Sequence, residues 1–200
     1  MAEPQIQQRC DKPMRADARR NRARVLAAAE KVLGEQGLTA PIDEIAQAAG
    51  VGIGTVYRHF PTKQALFEAI VVAHFEPLIE KADTLLGSDD PGEAFFTFMT
   101  HMADAAGHKA LASAIAESEP EVRVRRQEWS AKLVDSLESL LRAAQQAGTV
   151  RPDVTVADVR ALLGGVCMAQ DRMALPKAQC TRSLAILRAG LSSTSDSLTG

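Results

Sequence analysis

The side chains of this chain that could bind a nucleic acid are concentrated between residues 52 and 63. They are Thr55, Tyr57, Arg58, His59 and Lys63. Their hydroxyl, guanidinium, imidazole and ammonium groups hydrogen-bond to base edges and to phosphate oxygens. Gly52 and Gly54 begin the same run and leave its backbone bare enough to approach DNA closely. The segment therefore predicts non-covalent recognition of DNA, in which Arg58 either reads a guanine or contacts a phosphate.

Three predicted helices would position this segment. The first covers about residues 18–36 and ends at Gly37, which suits a left-handed cap. The second covers about 41–49, and the third covers about 53–60 with Val56 and Phe60 pointing inward. Gly50 supplies a tight turn between the last two helices. Because two short helices around such a turn form a helix-turn-helix, the third helix is expected to lie in the DNA major groove.

Charge is distributed unevenly along the chain. Residues 1–63 contain ten Lys/Arg and seven Asp/Glu, a net charge of +3, whereas the remainder has a net charge of −5. Much of the excess comes from arginines in the first 24 residues. A basic head on an acidic body is typical of a protein with one DNA-facing end. Arg20 and Arg22 are the candidates for additional DNA contacts, although such a run also serves as a solubilising tail.

Almost everything after the third helix also has helical periodicity, and no convincing strand pattern is found. A long helix begins at Lys63 after the N-cap Thr62 and continues to about Leu86, with a kink expected before Pro77. Further helices are predicted over about 93–107, 110–117, 121–147, 156–169 and 178–191. The predicted organisation is a disordered basic arm (1–17), a helix-turn-helix domain (18–62), a helical body (63–191) and a flexible tail (192–200).

Other function classes find little support in the sequence. No apolar run approaches the ~20 residues of a membrane span, and no signal-peptide core is present. The motifs GxSxG, HExxH, GxGxxG and the P-loop are absent, so neither an enzyme nor a cofactor is expected. His101, Asp104 and His108 share a helix face, but three such residues occur there by chance and no metal site is predicted. Three distant cysteines, Cys10, Cys167 and Cys180, suggest reduced thiols in a cytoplasm, near the bacterial nucleoid.

Residues 25–71 resemble the DNA-binding domain of the TetR/AcrR family of bacterial regulators. The residues that carry the resemblance are Ala28-Ala29, Gly37, Ile45-Ala46, Ala49-Gly50-Val51, the run Gly54-Thr55-Val56-Tyr57-Arg58-His59-Phe60, Lys63 and Leu66. A weaker similarity covers Gly148 to Asp153. The resemblance implies an all-α fold, with an N-terminal three-helix helix-turn-helix domain followed by a helical bundle for ligand binding and dimerisation.

The family's contacts transfer to individual residues of this sequence. By resemblance, Tyr57 and His59 contact the phosphate backbone and Lys63 anchors a phosphate. Alternatively, Tyr57 is a core tyrosine and His59 a cation at the helix end. The sequence departs from the family pattern at Gly52, where serine is common, and at Pro41, where threonine or serine is common. Each departure removes a possible phosphate contact, and the arginines before the first helix could compensate.

The helical body is expected from the resemblance to bind a small-molecule effector and to form a homodimer. Close approach of two helices at the dimer interface would be allowed by the small residues Ala161, Gly164, Gly165 and Ala169, which could equally pack within one subunit. Bulky apolar side chains are candidates for the pocket wall, although each could be core instead. They are Phe75, Phe98, Met99, Met102, Trp129 and Leu133.

The sequence therefore predicts a ligand-responsive transcriptional regulator that binds double-stranded DNA at a palindromic operator, most simply as a repressor. The effector would move the helix that begins at Lys63, at its Pro77 kink, and so change the separation of the two recognition helices. The alternative is a DNA-binding architectural protein on the same fold that responds to no ligand. A saturable small molecule that releases DNA would separate the two hypotheses.

Overall fold

The computed structural model describes residues 7–105, 109–173 and 176–193. These residues form nine α-helices and no strand. In chain order the helices are α1 (Gln7–Gln36), α2 (Ile42–Ala49), α3 (Ile53–His59), α4 (Lys63–Leu86), α5 (Pro91–Asp104), α6 (Lys109–Ser118), α7 (Pro120–Gln146), α8 (Val156–Met173) and α9 (Lys177–Leu191). The predicted all-α fold class is confirmed.

The chain divides into two compact units. The first, called the head, comprises residues 1–71 and 111–123, and the second, called the body, comprises residues 72–110 and 124–200. The predicted domain boundary at residue 62 differs from this division, because α4 contributes its first residues to the head and the others to the body. None of the helices in the described ranges is long and apolar enough to cross a membrane.

The helix-turn-helix in the head has the predicted order and turn. Ile45, Ala46 and Ala49 on α2 are buried, as are Val56 and Phe60 at α3. At Gly50 the backbone is left-handed, with φ of 63°. The carbonyl oxygen of Ala46 accepts a hydrogen bond from the Val51 N–H at 3.1 Å. Glycine suits this position because a left-handed conformation costs other residues free energy.

Two features of the head differ from the sequence prediction. The first helix begins at Gln7, so helix covers residues 7–17, which were predicted to be disordered; residues 1–6 lie outside the described ranges. The physical reason is helix propensity, since Gln, Arg, Lys, Met and Ala dominate this stretch and are good helix formers. Pro41 is the N-cap of α2 rather than its first helical residue.

The body is built around α5 and the helices that pack on it. Both α8 and α9 pack against α5 and against each other. Asp90 caps α5, because its side-chain Oδ1 accepts a hydrogen bond from the Glu93 N–H at 2.9 Å. A Cβ atom at Gly92 would lie 2.4 Å from Thr149 Cγ2, so the loop after α7 packs directly on the backbone of α5.

The end of the chain is more ordered than predicted where the structure describes it. Ser192 forms an isolated antiparallel bridge with Val150. The Ser193 N–H donates to the Thr149 carbonyl at 2.9 Å, and the Arg151 N–H donates to the Leu191 carbonyl at 3.0 Å. Unpaired backbone groups on both segments explain this pairing. Residues 194–200 of the predicted tail lie outside the described ranges.

Candidate nucleic-acid interface and ligand cavity

The third helix has three distinct faces. Val56 and the following Phe60 are buried, which confirms the prediction that they belong to the core. The opposite face, called the outward face here, carries the exposed residues Gly54, Tyr57 and Arg58, at the spacing i, i+3 and i+4. Thr55 and His59 lie between these faces and are half-buried. The structure therefore brings together all the predicted contact residues of α3, on one surface of the head.

Neither Gly52 nor Gly54 is required by the interior of the head. Both are exposed, and a Cβ atom built on either would find no other atom within 4 Å. Among the described glycines, positive φ angles occur at Gly37, Gly50 and Gly148 and not at these two positions. Gly54 even lies inside a helix, where glycine is less favourable than alanine. The missing side chains therefore matter toward the outside of α3, where an approaching surface would meet them.

The predicted cations differ in how firmly the protein holds them. Lys63 Nζ donates to the Ala40 carbonyl at 2.8 Å, and Arg22 lies over the Phe60 ring at 5.3 Å from its centroid. Arg20 forms an exposed ion pair with Asp17. The exposed Arg58 has no hydrogen-bond or ion-pair partner within the described part of the chain. Arg58 is consequently the cation most available to an external acceptor.

Two residues in this surface were not predicted from the sequence. Ile53, the first residue of α3, is a large exposed apolar side chain. An isoleucine outside the core face of a polar helix was the available signal. Arg24 donates through Nη2 to the Gly50 carbonyl at 3.3 Å and so ties α1 to the turn. That contact joins positions distant in sequence, and the basic run gave no sign of it.

The predicted pocket residues are mostly core residues. Phe75, Phe98, Met99 and Leu133 are buried, and Met102 and Trp129 are half-buried. Met99 is the member of this set that lines a described cavity of about 450 Å³ between α5, α8 and α9. Its apolar lining is formed by Phe96, Met99, Ala103, Cys180, Leu184 and Ala185.

Two ion pairs border this cavity. Glu93 binds Arg188 through two hydrogen bonds of 2.6 and 3.3 Å, and Asp104 lies 3.8 Å from Lys177. The hydrogen bonds from Arg188 hold the pKa of Glu93 below its ordinary value, and those same bonds raise the pKa of Arg188. Both side chains are therefore charged at neutral pH.

No cluster of three or more His, Cys, Asp or Glu side chains suited to a metal ion occurs among the described residues. Of the three residues on the shared helix face, His101 and Asp104 are exposed, and His108 lies outside the described ranges. Cys180 is buried in the cavity wall, whereas Cys167, which the sequence predicted to be buried, is only half-buried. The polar turn of α8 beside Cys167 lies partly at the surface.

The residues predicted for a dimer interface lie on the surface of α8 or close to it. Ala161 and Gly165 are exposed, and Gly164 and Ala169 are half-buried. Large apolar side chains accompany them. Met168 on α8 is 56% exposed and Ile186 on α9 is 62% exposed. Small residues beside exposed methionine and isoleucine form an apolar surface that nothing in the described part of the body covers.

Two family models match the chain. One, described as "Bacterial regulatory proteins, tetR family", matches residues 25–70. The other, described as "Transcriptional regulator SbtR-like, C-terminal domain", matches residues 90–193. The HTH-type transcriptional regulator UidR of Escherichia coli (strain K12) is 29% identical over 158 residues, which cover 75% of this chain and 79% of UidR. Head and body are thus each matched by models of transcriptional regulators.

Solved structures agree with this assignment. A TetR transcription regulatory protein from Mycobacterium vanbaalenii is 42% identical, with a TM-score of 0.69 over 90% of this chain and 99% of that one. The regulator SCO0520 from Streptomyces coelicolor is 32% identical, with a TM-score of 0.70 over 86% and 99% of the two chains. These relatives are regulators rather than enzymes. With a helix-turn-helix in its head and a matching helical body, the chain belongs to the TetR family of DNA-binding transcriptional regulators.

Proposed function

We propose that this chain is a repressor that binds a palindromic operator as a homodimer and is released from it by a small-molecule effector. The observation that carries the proposal is the outward face of α3. Gly54, Tyr57 and Arg58 are exposed together there, while Val56 and Phe60 fix the helix to the core. A bare backbone position beside a phenol and an unpartnered guanidinium suits close approach to a DNA groove.

The dimer is supported by the surface of α8 and α9. Exposed apolar residues such as Met168 and Ile186 are costly in water and mark interaction sites when they cluster. Ala161 and Gly165 in the same region would let a second helix approach closely. A single head contacts few base pairs, so a two-fold dimer would double the contacts and read a palindrome.

Release by an effector is supported by the cavity in the body and by the course of α4. This helix has residues in both the head and the body, so a ligand that shifts it acts on the head as well. Pro77 lies inside α4 and removes one helical hydrogen bond, which makes it the candidate position for bending. One structure of the same fold, 21% identical with a TM-score of 0.68, is a complex of SmeT with triclosan.

Within the head, the proposal assigns Tyr57, His59 and Lys63 to phosphate contacts and Arg58 to a base or a phosphate. Lys63 retains two of its three ammonium donors after binding the Ala40 carbonyl. Arg22 and Arg20 lie near the same surface in sequence but each already has an intramolecular partner. We therefore propose that they make weaker contacts than Arg58.

The test is fluorescence anisotropy of the full chain on the duplex upstream of its own gene, with excess non-specific DNA as competitor. Binding that survives competition, with two protomers per site, is the expected result. Candidate ligands are then titrated into the complex, and a saturable loss of anisotropy identifies an effector. A single protomer per site, or tight binding that no ligand reverses, would contradict the dimer or the effector respectively. The latter result would favour an architectural DNA-binding protein.

Pro77→Ala tests the route through α4 with the same titration. If the bend at Pro77 couples the ligand to DNA, the variant keeps operator affinity but requires more ligand for release. Release at the wild-type ligand concentration would remove Pro77 from the mechanism and leave the rest of the proposal standing.

A further inference from the structure

The cavity in the body lies between two helices that are joined at both ends. The same sequence distance separates Glu93 from Asp104 on α5 and Lys177 from Arg188 on α9. Glu93 pairs with Arg188 and Asp104 pairs with Lys177, so the two helices run antiparallel across the cavity. At 1.5 Å per residue, the ion pairs are about 16 Å apart. The space between them suits an elongated ligand.

The wall between the ion pairs is apolar, and its threonines offer few donors. Phe96, Met99 and Leu184 contribute large apolar surfaces. The hydroxyls of Thr100 and Thr181 donate to the carbonyls of Phe96 and Lys177 within their own helices, at 3.1 Å in each case. Since those protons are committed, the middle of the cavity favours a hydrocarbon over a ligand rich in acceptors.

The two ends of the cavity are not equivalent. Lys177 is 84% exposed, and only a long contact joins it to Asp104. Arg188, by contrast, lies over the Phe96 ring at 4.7 Å from its centroid and forms two hydrogen bonds with Glu93. The guanidinium is therefore held from two sides, while its partner Glu93 has a carboxylate side chain that is 54% exposed. Arg188 is the fixed charge of this cavity.

We propose that the cavity binds an amphipathic carboxylate, whose head group displaces Glu93 from Arg188 and whose hydrocarbon chain lies along the apolar wall between α5 and α9. The guanidinium fork accepts any carboxylate in the same bidentate geometry that Glu93 now shows. The displaced Glu93 side chain turns into water at little cost because it is already half-exposed. A cationic ligand would instead have to displace Arg188, which would also lose its contact with Phe96.

Binding of this ligand stands by itself, whereas its role as the effector rests on the proposed function. The probe is decanoate, used below its micelle-forming concentration with the full-length protein. Decanol and decyltrimethylammonium have the same chain with a neutral and a cationic head. Isothermal calorimetry measures affinity, and alkylation of Cys180, which lines the cavity, measures occupancy by peptide mass spectrometry. Decanoate is expected to bind more tightly than either analogue and to slow alkylation of Cys180.

Variants at the two paired residues make the test specific. Arg188→Gln and Arg188→Lys are expected to lose at least about tenfold in affinity for decanoate, because each removes the bidentate hydrogen bonds. Glu93→Gln is expected to bind decanoate more tightly, because the competing charge has gone. Arg182→Gln is the matched control, since Arg182 is an exposed arginine of α9 that does not line the cavity. Thermal unfolding confirms that each variant is folded.

Several outcomes would overturn the proposal. They are tighter binding of the cationic analogue, weaker decanoate binding by Glu93→Gln, or decanoate affinity and Cys180 protection unchanged in both Arg188 variants. DNA anisotropy with decanoate is the separate arm. Decanoate that binds in an Arg188-dependent manner without releasing DNA supports the site and removes decanoate as effector. Absence of binding to a protein that other small molecules release from DNA refutes the site and leaves the proposed function intact.

Discussion

Replacing Gly54 by alanine adds one methyl group to the outward face of α3. The new Cβ would meet no atom of the described chain within 4 Å, so the head accommodates it without strain. Alanine is favoured over glycine within a helix by roughly 0.5–1 kcal/mol, and the free energy of unfolding should rise by up to that amount. For a chain of this size, 1 kcal/mol raises Tm by about 2–4 °C.

The same methyl group should weaken DNA binding if α3 lies against a groove. Inserting a methyl into a close-packed contact typically costs about 1–3 kcal/mol, and every 1.4 kcal/mol is a tenfold change in affinity. A dimer carries the change twice, so the loss on the operator should be tenfold or more. Gly54→Ala is thus expected to be more stable and to bind DNA less tightly, two effects of opposite sign.

Anisotropy on the operator and thermal unfolding of the same preparations measure both effects. Gly34→Ala is the matched control, because Gly34 is an exposed helical glycine of α1 at which an added methyl group would likewise meet no atom within 4 Å. It should gain stability and leave operator affinity unchanged. Operator affinity retained by Gly54→Ala alongside a higher Tm would refute the reasoning, because the outward face would then not meet DNA at Gly54.

Arg58→Ala should cost ~1–3 kcal/mol on the operator and relax preference at one position per half-site, whereas equal losses on every sequence in a binding selection would assign Arg58 to phosphate. Lys63→Ala should make the slope of log affinity against log salt shallower by about one, and an unchanged slope would contradict its phosphate contact. Thr62→Ala removes the acceptor of the Ala65 N–H and should lower the free energy of unfolding by ~1 kcal/mol in thermal denaturation; no change would show that this cap is dispensable. Ile186→Glu should dissociate the dimer in sedimentation experiments, and an intact dimer would exclude α9 from the interface.

The helix-turn-helix could be predicted because its determinants are local. A glycine at residue 50 suits a left-handed turn, and Val56 with Phe60 repeat at one helical turn, so both the turn and the buried face follow from short-range spacing. The Thr62 hydroxyl, predicted as an N-cap, accepts the Ala65 N–H at 3.0 Å. None of these features depends on how distant parts of the chain pack.

Helix boundaries outside the core were harder to predict. The first turns of α1 show no apolar periodicity, so the pattern that locates a buried helix is missing there. The start of α5 carries a different kind of signal, because Asp90 followed by Pro91 is an N-cap followed by a proline at the first helical position. Propensity and capping, rather than hydrophobic patterning, decide where such helices begin.

The cavity could not be predicted because it depends on which helices meet. Bulky apolar residues such as Phe98 were predicted to form the pocket wall, but the largest apolar side chains tend to fill the core, and Phe98 is fully buried. The wall of the cavity instead combines half-exposed polar groups with medium-sized apolar ones. Its clearest signal, the equal spacing of Glu93–Asp104 and Lys177–Arg188, has meaning only once α5 and α9 are known to run antiparallel.

The two proposals for the body concern opposite faces of α9. One face contributes Cys180, Leu184 and Arg188 to the cavity, and another exposes Ile186. A ligand that replaces Glu93 at Arg188 removes one of the two ion pairs joining α9 to α5, so α9 becomes free to shift against α5. Because a helix moves as a rigid rod, that shift also moves the face that carries Ile186. If a second copy covers this face, ligand binding and dimer geometry are linked through one helix, and each must change the free energy of the other by the same amount.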